Sequence, residues 1–209
     1  MKHQLIVADR TRSEILQSNP PLLFYPDTPA LKKWVSYEYV RPLGSIHTDP
    51  VPGQLLSIEV LRDILLPNLL GRTIQKGATK NRGQALEAMV KHYLGYQESS
   101  QDLLSGGYPD IRHQVLEVKV QDSPTVDLGL YSPQNVEQIP DCPGITTADV
   151  RYLIALTDGD SGVIEGIVLC PGSRLGDKFA YVSATSVKYQ RSIPMSFFDH
   201  FDGQSVANP

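Results

Sequence analysis

Asp110 follows Pro109, and further along the same stretch Glu117 and Lys119 stand two residues apart in Val115-Leu116-Glu117-Val118-Lys119-Val120-Gln121. That apolar, β-branched run reads as a strand. With a period of two, Val115, Glu117, Lys119 and Gln121 point one way, while Leu116, Val118 and Val120 point the other way, into a core. Asp110 and Glu117 on adjacent strands would bind Mg²⁺, a hard cation that takes oxygen ligands and leaves its other positions to water and substrate phosphate. The Val118 carbonyl lies between the two motif side chains and adds a possible ligand. Lys119 would hold or help deprotonate an attacking water and stabilise phosphate oxygens. The chemistry this set suits is metal-assisted phosphodiester hydrolysis.

The neighbouring elements must place these groups. A helix is predicted from about Asn81 to Gly95, with Leu86, Met89, Val90, Tyr93 and Leu94 on one face. Glu87 lies ~100° around from Leu86, at the border of that face. It either looks inward toward the site or pairs with Lys91 at i, i+4. Before it, Gly71–Gly83 carries Arg72, Lys76, Lys80 and Arg82 with no acid among them. That segment is either a solvated loop or a phosphate-contacting one. Gly53–Leu70 reads as one apolar helix that Pro67 ends or kinks. Its apolar residues occupy more than one face, which makes it a buried helix or a subunit contact, burial being the commoner outcome. After the motif, Asp122–Gly129 reads as a turn. Val150–Thr157 and Val163–Cys170 read as two strands of a hairpin joined by the turn Asp158–Gly162. Gly159-Asp160-Ser161-Gly162 looks like a serine-protease nucleophile motif, but its place between two strands makes it a turn. Near the start, Arg10–Gln17 is a predicted helix, Trp34–Val40 a predicted strand and Pro26-Asp27 a turn. Tyr181–Tyr189 is a further predicted strand.

The bulk numbers bound the class. A chain of 209 residues, 41% hydrophobic and 20% charged, can bury a real core and carries no signature of disorder. A net charge of −4 gives no support to a nucleic-acid partner, yet a local basic cleft can coexist with an acidic exterior. Cys142 and Cys170 lack metal-ligand spacing and read as reduced thiols. The five histidines are scattered, and there is no Walker or Rossmann glycine pattern, so neither a zinc site nor a nucleotide cofactor is expected. No apolar stretch reaches the length of a membrane span, and the start has too short an apolar core for a signal peptide. The expectation is a soluble, cytoplasmic protein.

Pro109-Asp110 with Glu117-Val118-Lys119, behind a Gly83-x-x-x-Glu87 helix, resembles the PD-(D/E)xK nuclease superfamily, and most of all its type II restriction endonuclease branch. The likeness covers about Gly83 to Gly129 at motif level. It implies an α/β fold with a restriction-endonuclease-like mixed central sheet flanked by helices. It also implies that Asp110 and Glu117 bind the metal, that Lys119 is the catalytic lysine and that Glu87 joins the site from the helix. Gln121, on the face of Lys119, would border it. The family's chemistry implies Mg²⁺, with Mn²⁺ substituting and Ca²⁺ binding without supporting cleavage. Only six residues separate Asp110 from Glu117, which demands a very tight link between the acid-bearing strands. Asp102 is the alternative first acid.

On this reading residues 71–209 form the catalytic core, and residues 1–70 are an extension packed on it, for DNA recognition or a dimer contact, in one compact domain. Lys76, Lys80, Arg82, Ser123, Thr125 and Arg191 are candidate DNA contacts, with Gln134-Asn135 and Lys188–Arg191 as further groove readers. The expected partner is double-stranded DNA, cut by a two-fold homodimer. Two alternatives stand beside the restriction enzyme. One is another nuclease of the superfamily, a repair nickase or junction resolvase. The other is a DNA-binding module that keeps the fold without catalysis.

Overall fold

The computed structural model describes residues 3–42, 44–74, 79–97, 107–140 and 142–182, with the backbone alone at 79–81. Its elements are β1 (His3–Ile6), α1 (Asp9–Leu16), β2 (Leu22–Phe24), α2 (Pro29–Lys32), β3 (Val35–Ser36), β4 (Leu55–Leu56), α3 (Ile58–Leu69), α4 (Thr79–Leu94), β5 (Leu116–Gln121), β6 (Thr125–Gly129), β7 (Arg151–Thr157), β8 (Ile164–Pro171), α5 (Gly172–Leu175) and β9 (Ala180–Tyr181). This is a mixed α/β architecture.

The principal sheet has the order β2-β8-β7-β5. β7 and β8 are the antiparallel hairpin expected from the sequence, while β5 runs parallel to β7 and β2 parallel to β8. A continuous apolar run marks a strand buried on both faces, and β7 behaves so. Tyr152, Ile154 and Leu156 enter one core cluster, and Leu153 and Ala155 the other. On the second face lie α3 and α4, through Leu61, Leu65, Leu69, Leu86, Val90 and Leu94. On the first face lies an antiparallel sheet of order β6-β1-β9, through Leu5, Val126 and Leu128. Since β1 and β2 supply strands to these sheets, the N-terminal segment is part of the scaffold itself.

Several sequence expectations are corrected. Gly53–Leu70 is not one helix. It opens with β4, and α3 starts at Ile58, where Ser57 caps it by accepting from the Val60 N–H. α3 runs on past Pro67 to Leu69, so the proline does not end it, although it has no N–H to give to the Asp63 carbonyl one turn back. The apolar side of α3 is spent inside the molecule, since Ile58, Leu61, Leu65 and Leu69 are all buried, so its core-facing side chains are not available for a subunit contact. The predicted strand Trp34–Val40 is only Val35–Ser36, paired with β4. Asp122–Gly129 is a turn only at its start. Thr125–Gly129 is strand β6, whose alternation of exposed Asp127 with buried Val126 and Leu128 is masked in the sequence by Pro124. Ala180–Tyr181 forms β9, and the rest of the strand expected at Tyr181–Tyr189 lies outside the described residues from 183 onward. The Asp158–Gly162 turn is as expected: Asp158 Oδ1 accepts from the Asp160 and Ser161 N–H groups and from the Ser161 hydroxyl. Among the described residues no helix is long and apolar enough to cross a membrane.

Candidate active site

β5 is an edge strand, with β7 on one side only. The short link from Asp110 folds back along its open edge. Ile111 and Leu116 exchange backbone hydrogen bonds of 2.9 and 3.2 Å, around a 3-10 turn at Arg112–Gln114. Val115 closes the turn in the left-handed region at φ 49°, a costly conformation for a β-branched residue. Its burial and the bond from its N–H to the Arg112 carbonyl hold it there. The six-residue spacing is therefore met by the tightest of links, and it brings Asp110 beside Glu117.

Buried polar groups support that turn. The His113 N–H donates to the Ile46 carbonyl, and its Nδ1 meets the Tyr96 hydroxyl at 2.8 Å. Gln114 Oε1 accepts from the Leu56 N–H at 2.9 Å. Arg151, fully buried on β7, donates to the carbonyls of Leu56 and Gln114 and lies 3.7 Å from Asp27. Asp27 in turn accepts from the Ile58 N–H at 2.8 Å. Burial pushes the Asp27 carboxyl up, and Arg151 works against that shift. Pro26-Asp27, read from sequence as a turn, thus anchors both α3 and the motif link. An arginine inside the apolar run of β7 was the available signal, since a buried charge demands a partner.

The two acids and the lysine form one cluster. Glu117 Oε2 accepts from the Asp110 N–H, and Asp110 Oδ2 accepts from the Val118 N–H, both at 2.9 Å. Lys119 Nζ touches Glu117 Oε1 and lies 3.7 Å from Asp110 Oδ2. The Glu117 side chain is only 4% exposed, against 23% for Asp110 and 21% for Lys119. Burial drives the Glu117 carboxyl well above the usual carboxylate range, with Asp110 adding to the rise and Lys119 opposing it. Burial also acts against the Lys119 charge, but Glu117 and Asp110 outweigh it and push its pKa up, with Asp127 adding to them.

A cleft of about 540 Å³ runs along this edge. Asp110, Val118 and Lys119 line it, together with Glu87 from α4, Ser123, Thr125 and Asp127. The Glu87 carboxylate makes the i, i+4 pair with Lys91 at 2.5 Å, and the residue also lines the cleft. Arg82 sits against the cleft residue Asp122 at 2.8 Å. Gln121 is not among the lining residues. Its amide donates to the Ser123 carbonyl at 2.6 Å and shapes the β5–β6 turn. Lys76, Asp102 and Arg191, like Lys188–Gln190, lie outside the described residues, as does the side chain of Lys80. Ser132 caps the short turn that holds Gln134 and Asn135.

Sequence reasoning placed Asp127 in a polar loop, whereas β6 carries it to the cleft wall. It missed Tyr108 and Tyr131 altogether. They stack at 4.3 Å beside the acids, and only the fold brings them together.

Among the described residues no group of three or more His, Cys, Asp or Glu is arranged around a metal position. The donor set at the β5 edge is smaller and harder: two carboxylates with the Val118 carbonyl, which leaves the strand on the same edge as the N–H that Asp110 accepts. Mg²⁺ is commonly held by one or two carboxylates with substrate phosphate and water completing its shell, so this set fits it. Two carboxylates, one of them buried, facing one lysine are also short of positive charge, which such a cation supplies.

No protein-family model, no characterised protein and no solved structure matches the chain.

Proposed function

We propose that this chain is a Mg²⁺-dependent endonuclease of PD-(D/E)xK type, a type II restriction enzyme with a restriction-endonuclease-like core, acting on double-stranded DNA as a homodimer. The observation that carries the reading is the meeting of Asp110, Glu117 and Lys119 at one open strand edge, where Asp110 and Lys119 line the cleft. The mixed sheet, with α3 and α4 over one face, supports the fold assignment. Asp110, Glu117 and the Val118 carbonyl would hold Mg²⁺. When bound, it neutralises phosphate charge and lowers the pKa of a coordinated water. Lys119 Nζ, between both carboxylates, donates to a non-bridging phosphate oxygen and orients the attacking water. Glu87, which lines the same cleft, would join the site from α4. Ser123 and Thr125 on the rim suit phosphate contacts along the strand. Two copies related by a two-fold axis would cut both strands of a palindromic site.

The test is incubation of the protein with plasmid DNA of varied sequence in Mg²⁺. Discrete fragments are expected, and their ends give the site and the stagger. Ca²⁺ in place of Mg²⁺ should support binding without cleavage. Lys119→Ala should lose at least about a hundredfold in cutting rate, the order seen when one transition-state donor is removed, while retaining DNA binding. Uncut DNA across the whole set would end this reading, and an unimpaired Lys119→Ala protein would remove the lysine from it.

A further inference from the structure

A second cavity, of about 410 Å³, shares Asp110 and Lys119 with the cleft and is also lined by Glu117. Its other wall has a different chemistry: Tyr108, Leu128, Leu130 and Tyr131. Tyr108 and Tyr131 lie nearly parallel, with ring centroids 4.3 Å apart and planes 15° from each other. The Tyr108 hydroxyl is tied to that of Tyr152 at 3.0 Å, so the stack is fastened to the central strand of the core. Tyr131 rests one side of its half-buried ring on Tyr108 and lines the cavity. Beside it Leu130 is 69% exposed, a large apolar side chain left in water at the cavity mouth. The acids and the lysine are thus flanked by a rigid aromatic surface with an apolar lip.

A phosphodiester held at Lys119 carries a nucleoside on each side. A flat π surface lining the same cavity as Lys119 suits a base, and base–aromatic stacking is indifferent to base identity. The cavity has the volume of a small-molecule pocket rather than of a duplex groove. It can take one base only after that base has left its pair and its stack. We propose that the base next to the scissile phosphate is turned out of the helix and stacks on Tyr131, with Leu130 closing over it. The substrate at the cut step is therefore a locally unpaired nucleotide. This rests on the nuclease reading and deepens it.

The cost of unpairing is least at a mismatch. Once the cut site is mapped, two synthetic duplexes are compared by fluorescence anisotropy in Ca²⁺: one fully matched, the other mismatched at the nucleotide beside the scissile phosphate. Wild type should bind the mismatched duplex about tenfold more tightly. Tyr131→Ala should abolish that preference and Tyr131→Phe keep it, with circular dichroism confirming each fold. Where Tyr131→Ala does not fold, Tyr131→Leu, which fills the space without a π face, takes its place and should also abolish the preference. Equal binding of the two duplexes by wild type, or a preference that survives loss of the ring, overturns the proposal while the nuclease reading stands. Failure of wild type to cut any DNA in Mg²⁺ overturns both.

Discussion

Glu117→Gln should make the metal-free protein more stable at alkaline pH while abolishing cleavage. The Glu117 carboxyl rises from an ordinary 4.5 to about 7, because burial outweighs the help it receives from Lys119. The folded state then holds this proton more tightly than the unfolded chain does. Stability is full below pH 4.5 and is lost as the pH climbs through about 7. At ~1.4 kcal/mol per pH unit, that interval corresponds to about 3 kcal/mol. Glutamine has no proton to lose, and its Oε still accepts from the Asp110 N–H. The stability of the variant minus that of wild type should therefore grow by about 3 kcal/mol between about pH 4 and about pH 8. Urea unfolding in EDTA, followed by the fluorescence of the single tryptophan, Trp34, reads the difference directly. Millimolar Mg²⁺ should restore the alkaline stability of wild type and leave the variant unchanged, since binding to the folded state alone stabilises it. A difference that is flat or falling across this range would refute the account of Glu117 as a carboxylate kept short of positive charge.

Two further predictions concern the scaffold. Asp27→Ala leaves Arg151 buried without its counter-ion and deprives the Ile58 N–H of its acceptor, so a loss of about 3–5 kcal/mol is expected in urea unfolding; a loss below about 1 kcal/mol would show that Asp27 does not compensate that charge. Gly162→Ala places a Cβ 2.3 Å from the Ile74 carbonyl oxygen at φ +72°, so it should cost about 2 kcal/mol or more, while Gly159→Ala, with its nearest atom at 3.8 Å, should be close to neutral in the same thermal melt.

Much of this was legible in the chain alone. The hairpin of β7 and β8 is written in two apolar β-branched runs around Asp-Gly-Asp-Ser-Gly, because hydrophobic period and turn chemistry are local properties. α4 was readable from its stripe of Leu86, Val90 and Leu94. The alternation along β5 separated Glu117 and Lys119 from Leu116 and Val118 before any fold was in hand. Other features depended on distant segments. The boundary between β4 and α3 is set by Ser57 and Asp27, and the role of Asp27 is invisible until Ile58 and Arg151 reach it. β6 looked like a turn because its partner β1 is more than a hundred residues away in sequence.

The sequence by itself determined which groups could carry the chemistry, since residue type and period-two spacing place Glu117 and Lys119 on one side of a strand. Only the tertiary structure decided that Asp110 reaches them. That required a 3-10 turn closed by a left-handed Val115 and held by His113, Gln114 and Arg151, contacts that local propensity disfavours and long-range packing imposes. The same packing set Asp127 and the Tyr108–Tyr131 stack around the acids, because the surroundings of a site come from whichever strands and loops the core brings alongside it.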